Sequence, residues 1–305
     1  MGYDFLPSSE ENHMKYKDID FKVEDVQKVQ LEILLEFDRI CKKNEIPYQL
    51  FAGTLLGSIR HKGFIPWDDD IDVCMLRKDY ESFIECCKMD LPNDFFLQYW
   101  RTDRKSILQF AKVRKNNTIF TSKTYQDTGM HNGVWIDIFP LDNVKPETLF
   151  GKFQPRLFEF LYILCSSKLK NCALNAKNRF NKVVRLFLYY VLKPIPKRWL
   201  DLLCQKTLRM YENQETKYVN HLTNGASKKR LKKHLREKDS FYKVIDGEFE
   251  GHLFPIPKNY DEVLKKNFGD YMKLPPENER FPHHGIIEIC LDTRKQNGSL
   301  SNSKV

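Results

Sequence analysis

Residues 67–73 read WDDDIDV, four carboxylates in five positions with one isoleucine among them. Adjacent carboxylates repel, and Asp is depleted from strands, so few folds accept such a cluster without a reason. Yet the run continues as DIDVCML (70–76), where aliphatic residues alternate with the acids as in a strand with two unlike faces. Residues two apart on a strand share a face. Asp70 and Asp72 therefore present parallel carboxylates, while Ile71 and Val73 bury the other side. The whole chain carries net charge +9, so this negative knot runs against its general character. Two readings stand open: a solvated acidic turn, or a site for a divalent cation.

The spacing excludes a calcium loop of the EF-hand type. That loop needs Gly at its sixth position and Glu at its twelfth, where this chain has Val73 and Asp79. Two ligands on one strand call for a third from a neighbouring strand. Asp137, in NGVWIDIFP (132–140), is an acid inside an otherwise apolar strand and costly to bury alone. It is either that third ligand or half of a buried ion pair. Asp68 has the parity of Asp70 and Asp72 but follows Pro66 and Trp67, before the strand properly begins. Asp142 falls just beyond Pro140, where a turn is expected.

The flanking sequence supplies a frame. Val26, Val29, Ile33, Phe37 and Ile40 recur at helical spacing between residues 21 and 45. YQLFAG (48–53) reads as a buried strand feeding a helix, TLLGSIRH (54–61), that KGFIP breaks. Tyr80, Phe83, Ile84 and Cys87 mark another helix; FFLQYW, ILQFAKV and NTIFTS read as strands. The order predicts an α/β (α+β) layer architecture around a mixed sheet. Gly53 and Thr54 open the helix that follows the first strand, and a helix N-terminus offers free N–H groups to phosphate. Residues 150–250 lack strand signals and are expected to be helical, with short irregular pieces from 252 and a disordered tail from 295.

Composition narrows the class. At 41% hydrophobic and 13% aromatic residues the chain is globular. MGYDFLPSSEENH has neither the basic nor the apolar region of a secretory leader, and no run is apolar enough to span a membrane. The eight cysteines show no CxxC spacing and mostly sit in apolar segments, which fits reduced thiols in the cytoplasm. Positive charge gathers between 151 and 245. No RNP, zinc-finger or helix-turn-helix signature accompanies it, so nucleic acid is not the expected partner. The segments around FGKFQPRLFEFLYILCSSKLK and RFNKVVRLFLYYVLKPIPKRWL mix aromatic, aliphatic and basic residues. They either pack on the core or lie on an anionic membrane surface, on its inner face.

A strand, a Gly-Thr helix start, a strand bearing DxD and a later strand acid is the organisation of a nucleotidyltransferase fold. The run FAGTLLGSIRHKGFIPWDDDIDV, with GVWIDIFPLD and FGDYMKLPPENERFPHH, resembles the LicD family, which includes fukutin-related protein, over residues 20 to 290 or so. The resemblance implies transfer of a phospho-linked group, such as phosphocholine, from a CDP-activated donor such as CDP-choline to a sugar hydroxyl. The acceptor would be a glycan or lipid-linked glycan. It carries a metal role, Mg²⁺ (or Mn²⁺), to Asp70 and Asp72, and with them to Asp68 and Asp137. The implied layout is a segment 1–20, a catalytic core 21–150, a basic helical region 151–250, and a C-terminal segment 251–294 packing on the core. The tail is 295–305.

Residue chemistry agrees with that transfer. Attack on a diphosphate is catalysed mainly by positioning and charge neutralisation. Asp137 is the candidate general base, and Arg60 and Lys112, each close in sequence to a conspicuous site element, are candidates to meet phosphate charge. His283 and His284 have no cysteine at zinc-ligand spacing; His284 is a candidate substrate contact. Trp67, Trp100 and Trp135 could form a cage for a quaternary ammonium or simply pack in the core. The competing activity is a metal-dependent glycosyltransferase whose DxD holds a nucleotide-sugar diphosphate. Only about 70 residues precede the acids, short for such a domain.

Overall fold

A computed structural model describes residues 22–294, apart from 127, 175–177 and 283. The expected N-terminal segment 1–20, the tail 295–305 and His283 lie outside the described residues. The chain is a mixed α/β structure. Helix α1 (Val23–Lys43) is followed by β1 (Gln49–Leu50), α2 (Ala52–Arg60), β2 (Asp72–Leu76) and α3 (Arg77–Asp90). Next come β3 (Phe95–Gln98), β4 (Ala111–Lys115), β5 (Ile119–Ser122) and β6 (Trp135–Val144). Helices α4 (Leu149–Ser166), α5 (Lys170–Leu174), α6 (Arg179–Val191) and α7 (Lys197–Leu208) then lead to β7 (Tyr218–Asn220). Helix α8 (Lys228–His234), β8 (Arg236–Glu237), the hairpin β9 (Val244–Phe249) and β10 (His252–Pro257), α9 (Tyr260–Phe268) and β11 (Ile286–Cys290) complete it.

The central sheet runs β1-β2-β6-β4-β3, and β7 adds to the far end of β6 and pairs with β8. Among the described residues only β2 and β6 pair parallel, and both are buried along most of their length, as a parallel pair covered on two faces should be. Strand parity separates the faces. Val73, Met75, Val113, Ile136 and Ile138 pack with Ile33, Phe37 and Ile40 of α1 and Phe83 of α3. Cys74, Leu76, Phe139 and Leu141 turn the other way, onto Phe51, Phe110, Val219 and Phe241. Burying each such side chain stabilises by about 1.5–3 kcal/mol. A third cluster joins α4 and α7 through Phe158, Leu161, Leu200 and Leu208. Gln109 ties that cluster to the sheet region, donating to Asp201 at 3.0 Å and accepting from Gln205 at 3.0 Å.

Several expectations are corrected. Residues 150–250 are not purely helical: they hold β7, β8 and β9. The first two are too short for a visible period, and VIDGEF of β9 carries Asp and Gly, which strands usually lack. The hairpin turns at Glu250 and Gly251 with φ of 51° and 75°, and Glu is an unusual residue for that left-handed position. After 252, FPIPKNY is regular rather than irregular, entering β10 and α9, which Gly269 closes at φ 71°, whereas the described residues of YMKLPPENERFPHH are irregular apart from a 3₁₀ turn at Glu277–Glu279. ILQFAKV becomes strand only from Ala111. Asp142 is not in a turn. It stands in β6, buried, with both carboxylate oxygens bound by Arg77 at 2.7 and 2.9 Å.

Candidate active site

Register builds the site. Asp137 pairs with Asp72 across β2 and β6, and with Lys112 across β6 and β4; Lys112 pairs in turn with Gln98 of β3. By parity these side chains leave the helix-covered face, so a polar row crosses four strands. Asp70 lies just before β2, and one carboxylate oxygen each from Asp70, Asp72 and Asp137 lies within 4.8 Å of the others. Lys112 Nζ sits 2.5 Å from Asp137 Oδ1 and 4.2 Å from the Trp135 ring. Asp137 thus belongs at once to the acid cluster and to an ion pair.

The acid loop is pinned from behind. Gln27 of α1 donates to the Asp68 carbonyl at 2.9 Å, and Gln30 to the Asp69 carbonyl at 2.7 Å. The Asp72 N–H donates to Thr54 Oγ1 at 2.8 Å, and the Asp137 N–H to the Ile71 carbonyl at 2.8 Å. Thr54 therefore positions an acid through the backbone. At Gly53 a Cβ would stand 2.8 Å from Asp68 Oδ2, so the missing side chain makes room for a carboxylate. The chain enters α2 through Ala52 at φ 42°, a strained turn of the kind found at functional sites.

His284 closes the cluster from the C-terminal segment, which β11 attaches to β5. Its Nδ1 lies 2.8 Å from Asp69 Oδ1 and its Nε2 3.6 Å from Asp70 Oδ2. Burial disfavours the charged imidazole, but Asp69 and Asp70 outweigh it and lift His284 to about 10. Burial likewise pulls Lys112 down to about 8 against the opposing pull of Asp137. Asp72 is pushed well above the usual carboxylate range by burial and then by Asp70, Asp137 and Asp68. Asp68 is raised by burial and then by Asp70 and Asp69. The cluster holds more negative charge than its own cations balance, in hard oxygen ligands. Asp70, Asp72 and Asp137 are placed where they could hold a divalent cation.

The acids form one wall of a cavity of about 250 Å³. Lys112, Trp135 and His284 continue it, and Phe110, Tyr125, Phe139, Phe158 and Tyr162 line an aromatic remainder with Glu159 at its edge. Arg60 and Gly53 are not in this lining. The Arg60 guanidinium donates to the Tyr271 carbonyl at 2.8 Å. Arg114, two residues along β4 from Lys112, is bound to Gln98 Oε1 at 2.5 Å and the Gly133 carbonyl at 2.6 Å. The three tryptophans do not form one cage. Arg280 lies over Trp67 and Arg101 over Trp100; Trp135 alone lines the cavity.

Sequence reasoning missed Asp69, Gln27 and Gln30. The glutamines had a signal: polar residues occupying positions of the α1 stripe that packing alone would fill with aliphatics.

Residues 45–164 match the family described as LicD/FKTN/FKRP, nucleotidyltransferase domain. Over 269 residues the chain is 30% identical to the lipopolysaccharide cholinephosphotransferase LicD of Haemophilus influenzae, covering 85% of this chain and 94% of that protein. Uncharacterised proteins of Rickettsia typhi and Rickettsia prowazekii share shorter stretches. The first is 38% identical over 52 residues, 17% of each chain. The second is 40% identical over 48 residues, 16% of this chain and 18% of that protein.

Proposed function

Because the chain belongs to the LicD family of transferases, we propose that it moves phosphocholine, or a related phospho-linked group, from a CDP-activated donor such as CDP-choline to a sugar hydroxyl of a glycan. The observation that carries this reading is the meeting of Asp70, Asp72 and Asp137 within 4.8 Å, in the wall of a largely aromatic cavity. One end suits a diphosphate with its cation. The other suits a quaternary ammonium, which aromatic faces attract.

Asp70, Asp72 and Asp137 would hold Mg²⁺ or Mn²⁺, with Asp68 beside them. When bound, the ion supplies Lewis-acid polarisation of the donor phosphate and neutralises the leaving CMP. The residues do the remainder. Lys112 offers its ammonium to phosphate oxygens. Asp137, paired with Lys112 at 2.5 Å, accepts the proton of the attacking sugar hydroxyl. The hydroxyl oxygen bonds to the choline phosphorus, the bond from that phosphorus to the CMP oxygen breaks, and CMP leaves with the electron pair. His284 holds Asp69 and Asp70 in place. We place the reaction in the cytoplasm, supported by eight free cysteine thiols, with a glycan or lipid-linked glycan as acceptor.

The test is a donor comparison. With Mg²⁺, CDP-choline should release CMP when acceptor glycan is added. Release of UDP from a nucleotide sugar, with CDP-choline inert, would favour the DxD glycosyltransferase. Binding of Mg²⁺ with no turnover of any nucleotide would refute both.

A further inference from the structure

We propose that helix α6 is a docking face that lies in the plane of an anionic lipid surface. This goes beyond the transfer chemistry and does not depend on it. Helix α6 has no buried residue along its length. Phe180, Val183, Val184, Phe187, Tyr190 and Val191 are all exposed, Phe180 at 76% and Phe187 and Tyr190 at 64% each. Their spacing puts them on one side of the helix, the stripe that a soluble helix normally turns to its core. The opposite side, with Leu186, Leu188 and Tyr189 half-buried, faces the protein, and polar contacts tie it down. Arg185 donates to Ser166 Oγ at 3.2 Å, and Lys168 caps the chain beyond the helix, reaching the carbonyls of Leu192 at 2.7 Å and Ile195 at 2.8 Å. Exposed Ile195 and Trp199 follow the stripe in sequence.

Charge decides what covers this face. Residues 160–200 contain nine Lys and Arg and no Asp or Glu, a charge equal to the +9 of the whole chain. A second copy would set that positive charge against itself. An anionic headgroup layer offsets it, while aromatic side chains enter the acyl boundary and basic ones reach back to the phosphates. No helix among the described residues is long and apolar enough to cross a membrane. The 13 residues of α6 therefore suit a place on the surface.

The full-length protein is sedimented with vesicles of phosphatidylglycerol and phosphatidylcholine, and with phosphatidylcholine alone. The protein should pellet with the anionic vesicles at low salt and lose at least about tenfold in partition at high salt. Phe187→Asp should lower partition by a further tenfold or so while leaving circular dichroism and Tm unchanged, because Phe187 is 64% exposed and belongs to no buried cluster. Equal recovery in the supernatant with both vesicle types at low salt would overturn the proposal. So would undiminished binding by Phe187→Asp. A concentration-dependent dimer in sedimentation equilibrium that Phe187→Asp abolishes would assign the stripe to a second copy instead.

Discussion

Asp72 and Asp137 stand opposite each other in register across the parallel strands β2 and β6. Like charges in that position destabilise a sheet. Lys112, in register with Asp137 on its other side, offsets one of the two. Burial and the neighbouring acids leave Asp72 well above the usual carboxylate range. A fold selected for stability alone would not keep this pair, and its persistence in the polar row is what gives the site its meaning.

The acid loop depends on a close backbone approach. A Cβ at Gly57 would lie 2.4 Å from the Gly63 carbonyl oxygen, a backbone atom that cannot swing aside. Helix propensity favours Ala over Gly by about 1 kcal/mol, but overpacking costs about 1–3 kcal/mol. Gly57→Ala should therefore destabilise, seen as a lower urea midpoint. A raised midpoint would show that the loop yields freely.

Arg77 and Asp142 form a two-pronged ion pair, with side chains 5% and 1% exposed. Asp142→Ala should cost about 3–5 kcal/mol, because it strands the guanidinium. The double variant Arg77→Met with Asp142→Leu should cost less than Asp142→Ala alone, since no charge is then left buried. Urea unfolding of the set checks this; equal losses in single and double variants would mean the pair is not coupled.

Legibility followed from how local each signal is. The α1 stripe, the strand alternation through Asp72 and the lone acid at Asp137 are short-range patterns, and the elements lie where those patterns point. Which carboxylates meet was open to inference because β2 and β6 each carry one acid on a shared face. What the sequence hid depends on pairing at a distance. Strand β7 exists only because Asp142, Asn143 and Val144 offer it an edge. His284 reaches Asp69 only because β11 pairs with β5. Asp142 looked like a turn acid because its partner, Arg77, is 65 residues away.

His221 supplies a pH dependence. Its ring lies against Phe139 at 4.3 Å and Phe51 at 5.5 Å. Burial, helped by the charge of Arg236, draws it down to about 3. The unfolded chain then binds a proton that the folded one refuses, so stability falls as pH drops from about 6.5 toward 3. Well below 6.5 the group removes about 1.4 kcal/mol per pH unit. His221→Asn lacks this loss, so its stability deficit relative to wild type should shrink between pH 6.5 and 5. A deficit that is constant over that range would mean His221 is protonated in the fold.

The central claim is that Asp70, Asp72 and Asp137 act together on a cation and a CDP-activated donor. Its most direct measurement is CMP release from CDP-choline against Mg²⁺ concentration, in the wild type and in Asp72→Asn, with melting temperature in chelator recorded for both. Turnover should require Mg²⁺ in the wild type and fall at least about a hundredfold in Asp72→Asn, as when one charge-stabilising group is removed. The variant should melt no lower than wild type in chelator, since the substitution relieves repulsion within the cluster. Substantial Mg²⁺-dependent turnover by Asp72→Asn would contradict the account.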